Sequence, residues 1–384
     1  MSENILLGIT GSIASSKSEV LFKLLNKQNN VEIFSTNEGL KYVSQDFQNE
    51  NTIYSSWDQL EGSPHIEYAR WADKVIIYPA TANFISKYAH GLADDLLLST
   101  LLMFDKEIYI APAMHEEMFM DEKIQENILN LSDKVTFCGP RFGNLDIGDQ
   151  GVGRLVEPNE LFDILYTKKD KVIVTSGPTS EYIDDVRVIT NKSSGKQGRA
   201  IAIELMSQGY EVVYIHSKDI EPVAGVRNII FETSEDLLKA MDSETNNLKH
   251  LFMVAAVSDF VVKKTKGKID RSKGDASINL SPNIDIVKEY KSKNRDVNVI
   301  SFSAQTNNDL NFEKIKNKDS DYLVINNLSE NYFGSDMNKV TIINKSEMIY
   351  ESGNENKHLI AQKIIQNTIP VSYTHLTLPT IYSV

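Results

Sequence analysis

Ile5-Leu6-Leu7-Gly8-Ile9-Thr10-Gly11-Ser12-Ile13 begins as an apolar run of strand length and ends in a glycine–serine turn. Beyond it, Leu21, Leu24 and Leu25 fall on one face of a helical period. A strand that turns directly into a helix is the first half of a βαβ unit. Val31-Glu32-Ile33-Phe34-Ser35, Lys74-Val75-Ile76-Ile77-Tyr78 and Glu107-Ile108-Tyr109-Ile110-Ala111 repeat the pattern, each followed by a segment of helical composition. Such alternation predicts a parallel, doubly wound α/β sheet.

Near residue 170 the pattern restarts. After a helix around Leu161 to Tyr166 comes the charged Lys168-Lys169-Asp170-Lys171, and then the strand Val172-Ile173-Val174-Thr175. A helix from about Gly198 to Gln208 and strands at Glu211 to Ile215, Leu251 to Ala255, Val299 to Ser303 and Tyr322 to Ile325 complete a second α/β unit. The expectation is two doubly wound, Rossmann-like domains, residues 1–169 and 170–369, as a length of 384 residues allows. Residues 370–384 have no helical period and no charge. They read either as a C-terminal strand or as a non-native tail, because Val371 to Thr380 resembles translated sequencing-adapter read-through; the tail reading is preferred.

Composition removes several classes. Forty Lys and Arg against fifty-three Asp and Glu leave a net charge of −13, which disfavours nucleic-acid binding by bulk charge. No run approaches the ~20 apolar residues of a membrane helix, and Met1-Ser2-Glu3-Asn4 lacks the basic flank of a signal peptide. The expected location is cytoplasmic, with no membrane partner. A single cysteine, Cys138, excludes an intramolecular disulfide and any cysteine-rich zinc or iron–sulfur site.

The turn at Gly8-Ile9-Thr10-Gly11-Ser12-Ile13 offers backbone N–H groups, a hydroxyl and a helix start to a phosphate. It lacks the G-x-G-x-x-G spacing of dinucleotide sites, so a mononucleotide suits it better; a glycine turn with no ligand gives the same local pattern. More specific are His65-Ile66-Glu67, Pro79-Ala80-Thr81-Ala82-Asn83, Gly91-Leu92-Ala93-Asp94-Asp95, Ala111-Pro112-Ala113-Met114 and Gly148-Asp149-Gln150-Gly151-Val152-Gly153-Arg154. In this order, residues 4–166 resemble the flavin-dependent cysteine decarboxylases. The resemblance implies a flavodoxin-like domain binding flavin mononucleotide (FMN), which oxidises a C-terminal cysteine thiol so that the adjacent carboxylate is easily lost. It implies that Gly11, Ser12, Ile13 and Thr36 serve the flavin phosphate, that Thr81, Ala82 and Asn83 contact the flavin, and that His65 is the base, a residue that otherwise reads as a surface histidine. Two departures stand out: His115 replaces the family's substrate-carboxylate asparagine, and Ile147 replaces the cysteine that helps reduce the intermediate. Cys138 is a candidate substitute, or an inert buried thiol.

Thr175-Ser176-Gly177-Pro178-Thr179-Ser180-Glu181 and the block Ile183 to Gly198, with Ala255-Ala256-Val257-Ser258-Asp259-Phe260, Lys268-Ile269, Asp285-Ile286-Val287, Phe302-Ser303-Ala304-Gln305-Thr306 and Phe333-Gly334-Ser335-Asp336-Met337-Asn338, resemble the phosphopantothenate–cysteine ligases over about 171–369. The stretch Asn191 to Gly198 can cradle a phosphate with help from Lys192 and Lys196, or can be a flexible glycine turn. The resemblance places Asn191 beside the acyl intermediate, and Asp259, Lys268, Asp285, Ile286, Phe302, Lys314 and Lys318 around CTP. Lys314 and Lys318 are i,i+4, sharing a face if helical, either to grip phosphates or to be solvated. Gln305 and Asp270-Arg271 depart from the family's usual glutamate and lysines.

Together the resemblances imply a bifunctional coenzyme A biosynthesis enzyme. Its substrates are 4′-phosphopantothenate, cysteine and CTP, its cofactors FMN and magnesium (Mg2+) with unassigned ligands, and its assembly a homo-oligomer of trimeric flavin and dimeric ligase domains. Two alternatives remain: a ligase whose flavin domain is inert or only oxidatively decarboxylating, and a non-catalytic flavoprotein binding module, which predicts long acidic or low-complexity extensions that this sequence does not show.

Overall fold

The computed structural model describes residues 2–167, 169–270, 272, 277–305, 310, 312–327 and 334–370. Arg271, Thr306, Phe333 and all of the expected tail except Pro370 lie outside the described residues.

Strands β1 (Asn4–Ile9), β2 (Asn30–Ser35), β3 (Ile53–Tyr54), β4 (Lys74–Ala80), β5 (Glu107–Pro112) and β6 (Thr136–Phe137) form a parallel sheet in the order β3-β2-β1-β4-β5-β6. Without the two-residue β3, the strands follow the flavodoxin order 2-1-3-4-5. Helices cover both faces, which is why the strands read as unbroken apolar runs: every residue of β4 is buried. Side chains alternate between the faces. Leu6, Val75 and Ile77 pack with the helices Ala82–Ala89 and Leu96–Met103. Ile5, Leu7, Ile76 and Tyr78 pack with Ser18–Leu25 and Pro158–Tyr166.

After this sheet the chain makes an antiparallel hairpin, β7 (Arg141–Asn144) and β8 (Gln150–Arg154). The second half holds β9 (Lys171–Ser176), the hairpin β10 (Ser180–Tyr182) and β11 (Val188–Thr190), β12 (Glu211–Ser217), β13 (Arg227–Phe231), β14 (Leu248–Met253), the hairpin β15 (Phe260–Val262) and β16 (Leu280–Pro282), β17 (Asn298–Gln305) and β18 (Tyr322–Asn327). The main sheet runs β13-β12-β9-β14-β17-β18, all parallel. In its own count this is the order 3-2-1-4-5-6 of the Rossmann sheet. Val340–Asn344 and Met348–Glu351 extend it antiparallel. Both expected doubly wound sheets are present, whereas the three hairpins were not anticipated, because strands of three to five residues are too short to show a period.

The halves pack against each other. Arg141 of β7 places one guanidinium nitrogen 2.5 Å from Glu204 on the helix Lys196–Ser207, and the other 2.5 Å from Glu160. Phe142 stacks on His358 of the helix Lys357–Thr368, ring centroids 5.2 Å apart and nearly parallel. Among the described residues, no helix is long and apolar enough to cross a membrane.

Candidate active sites

Strand order in the first sheet reverses between β1 and β4, and a cavity of about 590 Å³ opens beyond the carboxyl ends there, where doubly wound sheets bind ligands. Thr10 joins the two strand ends: its hydroxyl donates to the carbonyl of Pro79 at 2.9 Å and accepts the Thr81 N–H at 3.0 Å. Thr81 then caps the helix Ala82–Ala89, accepting the Phe84 N–H. Ser12 accepts the Ala14 N–H and opens a 3-10 turn, Ile13–Lys17, before the α-helix begins at Ser18. Thr36 accepts the Gly39 N–H. Gly11, Ser12, Thr36, Thr81, Ala82 and Asn83 all line the cavity. Ile13 does not line it; its side chain is 63% exposed.

Beside the cavity, Ala113 and Met114 form part of the wall, and the β7–β8 hairpin is zipped to the segment that carries them. Met114 N–H donates to Gly153 carbonyl at 3.1 Å, and Val152 N–H to the Glu116 carboxylate at 2.9 Å. The approach demands glycine, since a Cβ at 153 would lie 2.1 Å from the Met114 oxygen. His115, between these contacts, holds Glu117 on one ring nitrogen and faces Asp149 at 3.3 Å on the other. The hydrogen bond with Glu117, aided by Asp149, raises its pKa above the ordinary value.

In the second sheet the order reverses between β9 and β14, and a cavity of about 820 Å³ lies there. Asn191, directly after β11, donates through its amide to the carbonyls of Ala256 and Val257 at 3.1 and 3.0 Å, joining two walls. The helix Lys196–Ser207 starts inside the cavity, so its free N–H groups face the opening. Lys314 and Lys318 share a helix face, Phe312–Lys318, and both line the cavity. Lys314 donates to Ser303 at 2.7 Å, and burial together with Lys318 lowers its pKa. Lys318 reaches Asp285 at 3.4 Å, and Asp285 caps the helix Ile286–Lys293. Among the described residues no group of three or more His, Cys, Asp or Glu could hold a metal.

Two family models match this chain: Flavoprotein over residues 1–170, and the DNA/pantothenate metabolism flavoprotein C-terminal domain over 167–371. It is 33% identical over 368 residues to the coenzyme A biosynthesis bifunctional protein CoaBC of Bacillus subtilis, covering 89% of this chain and 90% of that one. To CoaBC of Methanocaldococcus jannaschii it is 31% identical over 381 residues, covering 95% and 93%. A crystal structure of the C-terminal domain of CoaBC, 28% identical, covers 52% of this chain and 93% of its own, with a TM-score of 0.44. The chain belongs to the CoaBC family.

In this CoaBC-family chain the second cavity brings together Asn191, Asp259, Asp285, Ile286, Phe302, Lys314 and Lys318. Lys268 does not line it; it sits exposed on the loop between β15 and β16. His65 does not line the first cavity; it lies in the first turn of Pro64–Trp71, 5.2 Å from the Trp57 ring, with Nδ1 buried and unpartnered. His115 borders that cavity through its neighbours rather than lining it. Sequence reasoning missed Asn326, whose buried Oδ1 has no partner at the cavity wall, and Lys357, which also lines it. Asn326 stands next to last in a strand and Lys357 opens a helix, and neither position carries a local spacing to single it out.

The first cavity fits FMN by its donor set. Hydroxyls of Ser12, Thr36 and Thr81 and the bare Gly11, where a Cβ would meet Glu38 at 2.6 Å, leave room for a phosphate against backbone.

Proposed function

We propose that residues 170–369 join 4′-phosphopantothenate to cysteine with CTP, and that residues 1–169 decarboxylate the resulting 4′-phosphopantothenoylcysteine to 4′-phosphopantetheine with FMN. The reading is carried by one observation: Asn191, Asp259, Phe302, Lys314 and Lys318, from four separate chain segments, line a single cavity at a helix N-terminus. A carboxylate oxygen of phosphopantothenate attacks the α-phosphorus of CTP and pyrophosphate leaves; the cysteine amine then displaces cytidine monophosphate and forms the amide. Lys314 and Lys318 neutralise the phosphates, and an entering triphosphate opposes the burial that lowers the Lys314 pKa. Asn191 locks the 255–257 turn against the phosphate loop. Asp259 and Asp285 are carboxylates of this cavity, one or two being what phosphate-bound Mg2+ takes from a protein.

In the first half, bound FMN would supply two-electron oxidation at the carbon bearing the thiol and return the same two electrons once carbon dioxide has left. The chain's part is to hold the flavin phosphate with Gly11, Ser12 and Thr36, the flavin with Thr81 and Asn83, and the substrate carboxylate with His115, whose charged form Glu117 and Asp149 favour. His65, the base in this scheme, stands off the cavity within one chain; the assembly proposed is a homo-oligomer of trimeric flavin and dimeric ligase domains, and light scattering that returns a monomer would refute it. The proposed location is the cytoplasm.

A second reading, decarboxylation that stops at the oxidised enethiol, is favoured by Cys138. Its thiol is fully buried and pushed up to about 12 by burial, so it is no substitute for the proton donor that Ile147 replaces. Mass spectrometry of products from flavin-loaded protein with phosphopantothenate, cysteine, Mg2+ and CTP separates the readings. Loss of carbon dioxide alone supports the full reaction, loss of carbon dioxide and two hydrogens the second reading, and an unreacted ligation product an inert flavin domain. Absence of pyrophosphate release would defeat the ligase.

A further inference from the structure

The loop that carries Lys268 is held by the turn between β10 and β11, and by two adjacent carboxylates of that turn in particular. Asp185 accepts the Gly267 N–H at 2.8 Å, and Asp184 accepts the Ile269 N–H at 3.0 Å. The amides on either side of Lys268 are therefore both taken by neighbouring aspartates. A third tie comes from Thr265, whose N–H donates to the Ile183 carbonyl at 2.9 Å. Arg187 completes the arrangement, pairing with Asp184 at 2.6 Å and reaching the Ile269 carbonyl at 3.4 Å. Lys264 pairs with the other oxygen of Asp185 at 2.9 Å.

We propose that Asp184 and Asp185 are positioning residues for the ligation, clamping the backbone on both sides of Lys268 and so setting where its ammonium stands relative to CTP. This rests on the ligase reading and on the role that reading gives Lys268. Two features argue that the clamp is built for placement. Asp184 is wholly buried, yet keeps its charge by accepting the amides of Ile269, Val186 and Arg187, which hold its pKa down at about 2. The outgoing strand of the same hairpin, β11, leads directly into Asn191. One turn therefore fixes both the amide in the cavity and the lysine that must reach it, across a gap of more than seventy residues in sequence. Lys268 itself is exposed, so its place follows from where these bonds hold its backbone.

The working variant is Asp185→Ala, since Asp185 is exposed and its loss leaves the fold in place; Asp184→Asn, which disturbs a buried charge, is the harsher companion. In CTP-dependent pyrophosphate release, Asp185→Ala is expected to raise KM for CTP about tenfold with kcat changed less than about twofold. Trypsin should cleave at Lys266 and Lys268 faster at an unchanged melting temperature. Asp185→Asn, which still accepts the Gly267 N–H, should recover most of the loss. Combined with Lys268→Gln, Asp185→Ala should add nothing further, because both remove the same placed charge. An unchanged KM in Asp185→Ala, no effect of Lys268→Gln, or effects that multiply in the double variant would overturn the inference while an active wild-type chain leaves the ligase reading standing. A wild-type chain that releases no pyrophosphate would overturn both.

Discussion

His115 stands between two carboxylates, Glu117 on Nδ1 and Asp149 on Nε2, and this sets its charge. The folded pKa lies above the 6.5 of a free imidazole, first through the Glu117 hydrogen bond. The ring is charged in folded and unfolded chain alike below 6.5. In the folded chain the charge persists above that pH and is lost only as pH rises through the raised value. A substrate carboxylate held by the ring should therefore bind more weakly as pH rises through that raised value. Glu117→Gln removes the leading cause, so the alkaline rise in KM for phosphopantothenoylcysteine should move toward the ordinary histidine value; an unmoved profile would show that His115 does not hold the carboxylate. Imidazolium is a workable replacement for an asparagine amide because both donate a hydrogen bond, and the ring adds a charge.

At the scale of elements, the β7–β8 hairpin shows what a sequence motif conceals. Gly148 to Arg154 is conspicuous as a string, but only the structure gives its glycines a purpose: β8 lies so close to the 113–116 segment that Gly153 has no space for a side chain. Gly153→Ala must push the hairpin off Met114, at about 1–3 kcal/mol for an overpacked contact. Decarboxylation should fall several-fold while ligation in the same preparation is unchanged; equal losses in both activities would mean general unfolding instead. The parallel sheets were legible because buried strands such as Ile5 to Ile9 and Val172 to Thr175 are apolar on both faces and alternate with helices. The clustering of Asn191, Asp259, Phe302 and Lys314 was legible only through the resemblance, since nothing in local spacing says that four distant segments meet. His65 and Lys268 were placed at their sites on the same ground, and within one chain neither lines its cavity. The first turn of a helix carries His65, and a loop carries Lys268, whose position is fixed by distant partners such as Asp184 and Asp185 rather than by its own residues.

Among the contacts that join the halves, two have opposite character. Arg141 and Glu204 form a largely buried ion pair, in which removing Arg141 strands a buried carboxylate. Phe142 and His358 form a stack in which burial favours the neutral ring. Burial, with Arg199 nearby, drives His358 down to about 4, below the 6.5 of the unfolded chain. The sign follows from proton uptake: between 4 and 6.5 the unfolded chain binds the proton and the folded chain does not, so stability is full above 6.5 and drains away as pH falls toward 4. Going from pH 7 to pH 5 should cost on the order of 2 kcal/mol through this one residue. His358→Phe keeps an aromatic face for Phe142 and has nothing to titrate. Its melting temperature should therefore drop less than that of the wild-type chain between pH 7 and pH 5, and the difference should vanish at pH 8. An equal drop in both proteins would place the acid sensitivity elsewhere. Because Lys357, the neighbour of His358, lines the ligase cavity, the same acidification should also weaken CTP binding in the wild-type chain more than in His358→Phe, tying the stability of the interface to the chemistry on one side of it.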